Sequence, residues 1–143
     1  MRNSKQFPTS AAFVGVSWLS LLLGIAGFLV GLWNAANLAP SEKGFYLSVM
    51  VLGLYSAVSL QKAVRDRLEG IPVTGIYFGI SWLAVGSALL MLTVGLFNST
   101  LTLSEKGFYG MAFALSLFAA VAVQKNIRDR SGTGDESEEV TAN

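Results

Sequence analysis

The sequence predicts an all-α, polytopic membrane protein, with four transmembrane helices arranged as two tandem copies of one helical hairpin. Three observations predict it. Only 13% of the 143 residues are charged, where a soluble domain carries about 25%. The charged residues leave four long uncharged runs. Two motifs recur at a common spacing of 63 residues.

The first uncharged run has its apolar part at Ala11–Trp33 and the third at Gly75–Phe97, 23 residues each. A bilayer core of about 30 Å needs about 20 helical residues, so both span with some tilt. The second run, Gly44–Leu60, and the fourth, Gly107–Val123, have 17 residues each, roughly 26 Å at about 1.5 Å per residue. Starting them at Ser41 and Ser104 supplies the missing length. Serine is a good N-cap, and Glu42 and Glu105 then fall in the first turn, where the helix dipole favours a carboxylate. Arg2 and Lys5 resemble the basic start of a signal peptide. The run behind them is longer than an h-region of about 7–15 residues, and it has a counterpart later in the chain.

That counterpart is part of an internal repeat, which sets the architecture. Ser-Glu-Lys-Gly-Phe-Tyr at 41–46 returns at 104–109, and Gln-Lys-Ala-Val-Arg-Asp-Arg at 61–67 returns as Gln-Lys-Asn-Ile-Arg-Asp-Arg at 124–130. Between Gly44–Arg67 and Gly107–Arg130, 12 of 24 positions are identical. Ser17-Trp18 matches Ser81-Trp82, and Gly31-Leu32-Trp33-Asn34 matches Gly95-Leu96-Phe97-Asn98, at an offset of 64. Each copy therefore has two spans, and two spans return the chain to its starting side. The copies insert the same way round, as a parallel repeat about an axis along the membrane normal.

The expected organisation is a cytoplasmic segment 1–10, a first repeat 11–67 with helices 11–33 and 41–62, a linker 68–74, a second repeat 75–130 with helices 75–97 and 104–125, and a tail 131–143. The tail is acidic, small and free of aromatics, and reads as disordered. Arg2, Lys5, Lys62, Arg65, Arg67, Lys125, Arg128 and Arg130 lie on one side of the membrane and Lys43 and Lys106 on the other. That asymmetry places both termini in the cytoplasm.

The chain has no cysteine and no histidine. This removes disulfides, thiol nucleophiles, the commonest metal ligand and the commonest general base. No catalytic, cofactor-binding or metal-ligating residue is expected, and no nucleic-acid contact. Two polar clusters are the candidates. Glu42, Lys43, Glu105 and Lys106 would form a polar turn at the outer face, open to an ion or a lipid headgroup. The bland alternative there is helix capping with lysines snorkelling to the headgroups. Lys62, Arg65, Asp66, Arg67, Lys125, Arg128, Asp129 and Arg130 would form a cytoplasmic docking or lipid-anchoring surface. There the alternative is topology setting, with Lys62–Asp66 and Lys125–Asp129 as i,i+4 pairs. Topology alone needs no recurring aspartate or glutamine. Asn34 and Asn98 could bond the adjacent turns. Gly24, Gly27 and Gly31, and the series Ala112, Ser116, Ala120, suit close helix approach within one chain or between protomers.

Gly-Leu-Trp-Asn at 31–34, Ser-Glu-Lys-Gly-Phe-Tyr and Val-Ala-Val-Gln-Lys-Asn-Ile-Arg-Asp at 121–129 resemble the YiaA/YiaB family of bacterial inner-membrane proteins, whose unit is a two-helix domain. The resemblance covers Ala11–Arg130 and implies a bacterial inner membrane. It implies no activity.

The function expected from these features is that of a non-enzymatic structural or interaction subunit. Its partners would be membrane lipids, a protein at the cytoplasmic face, or further copies of itself. The alternative is a small transporter or channel component. Intramembrane ionisable groups mark transport pathways, and none falls inside the four runs.

Overall fold

The computed structural model describes residues 9–142, and of 132–140 the backbone alone. Residues 1–8, most of the expected amino-terminal segment with Arg2 and Lys5, lie outside the described residues. Four helices follow in order: α1 Ala11–Asn34, α2 Pro40–Leu68, α3 Gly75–Asn98 and α4 Leu103–Thr141. Each contains a stretch long and apolar enough to cross a membrane, in α4 Leu103–Ser131.

The helix ends show why the boundaries fall where they do. The Ser10 hydroxyl accepts a hydrogen bond from the Phe13 amide, and the Thr74 hydroxyl accepts one from Tyr77, each at 3.2 Å. The two first helices are thus capped alike. Ser41 and Ser104, expected as N-caps, lie inside the first turns instead. The caps are Ala39 and Thr102, again 63 apart. At α4, Glu105 Oε2 accepts from the Thr102 amide at 2.9 Å and the Thr102 hydroxyl accepts from the Glu105 amide at 3.3 Å. That is a complete capping box. At α2, alanine leaves only the return half, Ala39 N–H to Glu42 Oε2 at 2.7 Å, and Pro40 supplies a preset φ at the first helical position.

The α2 helix runs six residues past its expected end at 62, to Leu68. It stops in a Schellman turn, with Ile71 N–H to Asp66 O at 2.8 Å and Gly70 N–H to Arg67 O at 3.2 Å. Gly70 takes the left-handed conformation at φ +75°, which a residue with a Cβ resists. The α4 helix continues to Thr141, through the segment whose composition read as a disordered tail. Extending a helix that already exists costs far less than nucleating one.

The two copies do not fold as separate hairpins lying side by side. The α1 helix packs along α4, α3 packs along α2, and α2 and α4 meet each other; contacts within each copy, α1 with α2 and α3 with α4, are few. Each first helix finds its main partner in the other copy. The central pair is correspondingly more buried. In the most apolar stretch of α4, 44% of residues are buried inside the protein, against 17% in α1, so α1 and α3 present most of their surface to lipid.

The buried positions obey the repeat. In α1 they are Ser17, Gly24, Phe28 and Leu32, and in α3 Ser81, Ala88, Leu92 and Leu96, each pair 64 apart. Tyr46, Val49 and Met50 of α2 have Tyr109, Ala112 and Phe113 of α4 as buried counterparts. Phe28 sits at the middle, edge-on to Tyr109 at 5.6 Å and tilted against Phe113 at 6.2 Å. Gly24 meets Ser116 and Ala112, so the small-residue stripes on α1 and α4 face each other inside one chain.

Candidate functional site

At the end of the bundle where α2 finishes and α4 runs on past it, the recurring Arg-Asp pairs face each other. Arg65 Nη2 donates to Asp129 Oδ1 at 2.7 Å, and Arg128 Nη2 donates to Asp66 Oδ1 at 2.9 Å. The α2 and α4 helices run parallel, so each arginine of one copy meets the aspartate of the other. The two bonds are related by the pseudo-axis. Glu69 joins them, accepting from Arg65 Nε at 3.1 Å and Arg128 Nη2 at 2.7 Å. Its repeat counterpart is Gly132, so this third carboxylate breaks the symmetry. Charge-assisted bonds of this length are the strong class of hydrogen bond. Partial exposure, between 14% and 44% across the five side chains, keeps the desolvation cost moderate.

This clasp accounts for the recurring aspartate. Asp66 pairs across the seam with Arg128, whereas the i,i+4 arrangement expected a bond to Lys62. Lys62 and Lys125 are exposed and make no ion pair with the described residues. Arg67 lies over the Phe78 ring, 4.0 Å from its centroid, a cation–π contact tying the end of α2 to the start of α3. Arg130 is exposed on α4. Thus the eight residues expected to form one basic surface divide. Four interlock across the seam, and the lysines stand exposed beside it.

Less than one turn deeper, Asn126 Nδ2 donates to the Ser17 hydroxyl at 3.3 Å, which donates in turn to Phe13 O at 2.8 Å. Where Asn126 stands in the second copy, the first has Ala63, also buried. Three carbonyl oxygens at this level, Gln61 Oε1, Gln124 Oε1 and Asn126 Oδ1, are buried without a donor among the described residues.

At the opposite end, the Ser-Glu-Lys-Gly-Phe-Tyr turns are held from within. Glu42 and Glu105 bond the first amides of their own helices, as above. Lys43 Nζ donates to Trp33 O at 3.3 Å and Lys106 Nζ to Phe97 O at 3.4 Å. Each lysine thereby reaches a carbonyl in the last turn of the preceding helix, where the dipole favours a cation. Each Gly-Leu-aromatic-Asn motif meets the other copy's aromatic pair. A Cβ on Gly31 would lie 3.0 Å from Tyr109 Cε1, and one on Gly95 would lie 2.7 Å from Phe45 Cε1 and 3.3 Å from Tyr46 Cε1. Asn34 and Asn98 bond their own helices, to Val30 O and Val94 O at 2.9 Å, not the turns.

The sequence reading missed Glu69, Ser17 and the Gly–Tyr pairing. Glu69 carried one signal, its i+4 spacing from Arg65. The other two become visible only once α1 is known to lie on α4. Among the described residues no cluster of three or more carboxylates could hold a metal ion.

The model of the yiaA/B two helix domain matches the chain twice, over residues 13–66 and 77–129. The chain belongs to this family. The inner membrane protein YiaA of Escherichia coli (strain K12) is 58% identical over 120 residues, which cover 84% of this chain and 82% of YiaA. The uncharacterized membrane protein YubF of Bacillus subtilis (strain 168) is 38% identical over 60 residues, 42% of this chain and 69% of YubF. No solved structure matches. The family resemblance read from the motifs therefore holds, and the chain is a multi-pass inner-membrane protein. The YiaA/B unit boundaries fall within the two repeats, and the Arg-Asp clasp lies at the ends of both matched segments.

Proposed function

We propose that this protein is a non-enzymatic structural or interaction subunit of the inner membrane, with both termini in the cytoplasm. The single observation that carries the reading is where the recurring charges are used. Arg65, Asp66, Arg128 and Asp129 hold the two copies together, and Glu42, Lys43, Glu105 and Lys106 fasten the helix ends. Groups that would otherwise be available for substrate or proton handling are engaged in building a rigid four-helix body. Lys62 and Lys125, exposed on the two central helices, are the cations this body offers to a protein at the cytoplasmic face. The excess of Lys and Arg on that side supports the orientation.

The experiment is native mass spectrometry of the protein extracted in native membrane patches. A second protein at fixed stoichiometry, lost from the Lys62→Glu/Lys125→Glu variant, is the expected result. A partner retained undiminished by that variant would sink the lysine docking surface. A chain that is always alone would sink the subunit role. Cysteine introduced at Ser131 and at Ser41, labelled from one side of inverted and right-side-out vesicles, tests the orientation.

A further inference from the structure

An open groove of ≈ 480 Å³ runs beside the α2–α4 seam. Its walls are Leu60, Val64 and Leu68 of α2, Val85 of α3 and Val121 of α4, and Arg65 and Lys125 also line it. We propose that this groove binds one anionic glycerophospholipid, with an acyl chain along the valines and leucines and the phosphate at Lys125.

Three features favour that occupant. The walls are almost wholly apolar while both charged lining residues are cations, which suits a molecule with a hydrocarbon tail and an anionic head. Arg65 is already bonded to Asp129 and Glu69. Lys125 is exposed and makes no ion pair with the described residues, so its charge is the one available to select a phosphate. A partner transmembrane helix would want small residues for close approach, and these walls, Ala57 apart, are branched. On the other side of the pseudo-axis the equivalent wall is shorter by one residue, because the second copy has Ser131 where the first has Leu68. The groove shares Lys125 with the proposed docking surface, and its readout, bound lipid, differs from protein capture.

The test is titration of delipidated protein in detergent with phosphatidylglycerol or phosphatidylcholine of matched chains, counting bound lipid by native mass spectrometry. Wild type should retain phosphatidylglycerol in preference. Lys125→Gln should weaken that binding about fivefold, about 1 kcal/mol at the usual conversion. Val121→Phe, which fills the groove and leaves the charge, should also weaken it. Lys62→Gln, the equivalent change in the first copy, should not. Thermal unfolding of each variant separates lost binding from lost fold. Equal retention of the two lipids would overturn the proposal. So would equal loss in Lys62→Gln, full competition by inorganic phosphate, or a second protein chain seated in the groove in place of lipid.

Discussion

Arg65 and Asp129 belong to different copies of the repeat, 64 positions apart, and their side chains are bonded at 2.7 Å. The reciprocal pair, Arg128 and Asp66, lies at 2.9 Å. An Arg-Asp dipeptide at the end of the bundle thus becomes a self-complementary lock when its helix meets a parallel copy of itself. One dipeptide supplies a donor and an acceptor, and the pseudo-axis turns them into two bonds.

The lock should be measurable as a coupling. Arg65→Ala and Asp129→Ala will each lower the unfolding temperature in detergent. The double variant will lose less than the sum, by about 1 kcal/mol, as expected for a charge pair with both partners partly exposed. Strict additivity of the two single changes would mean the pair contributes nothing to stability.

Glycines at the crossed interface should separate from glycines on the lipid face. At Gly24 a Cβ would meet the Ser116 backbone nitrogen at 3.0 Å and the Ala112 carbonyl at 3.2 Å. Backbone cannot swing aside, so Gly24→Ala should cost about 1–3 kcal/mol. Gly95→Ala should cost less, because its neighbours Phe45 and Tyr46 are ring edges that can tilt. Gly15 and Gly79 have nothing within 4 Å, and alanine there should gain about 0.5–1 kcal/mol in helix propensity. Thermal unfolding of the four variants gives the order. Destabilisation at Gly15 equal to that at Gly24 would count against α1 packing on α4 through this face.

Most of the fold was legible because the membrane and the repeat both write plainly in sequence. Uncharged runs gave the four spans, and the offsets of 63 and 64 gave the equivalence of Tyr46 with Tyr109 and of Gly31 with Gly95. The crossing was not legible. A self-comparison shows that Gly31 resembles Gly95, and it carries no mark that Gly31 touches Tyr109 and Gly95 touches Tyr46. Connection is local in the chain, whereas packing partner is set by which faces are complementary in space. The same gap explains Asp66. Read along one helix its obvious partner was Lys62, four residues away, and the competing arginine of a parallel helix is invisible to that rule. The serine N-caps failed for a smaller reason: Thr102 and Pro40 begin the helices earlier, and the glutamates at N3 serve those caps equally well.

Buried glutamine oxygens invite the opposite kind of change. Gln61 Oε1 and Gln124 Oε1 are enclosed without a donor among the described residues. An unmatched buried acceptor costs about 1–3 kcal/mol, and an apolar group of similar shape removes the cost. Gln61→Leu and Gln124→Leu should therefore leave the unfolding temperature unchanged or raise it. A marked fall in either would mean that the oxygen is engaged in the membrane-embedded protein and that the glutamines are kept for that bond.

Crossed packing also predicts how the chain behaves when cut. The linker between Leu68 and Gly75 joins two units whose principal contacts are with each other. Expressed together as separate polypeptides divided at Gly70, the two halves should co-purify from membranes as one complex. Expressed alone, the first half should self-associate, α1 of one copy lying on α2 of the next, with Arg65 facing the other chain's Asp66. Disulfide cross-linking in that half, carrying both Gly31→Cys and Tyr46→Cys, reports the arrangement. Intermolecular disulfide is the expected product. Halves that remain stable monomers, with the two introduced thiols linked only within one chain, would show that each hairpin is self-sufficient and that the crossing is not what holds the protein together.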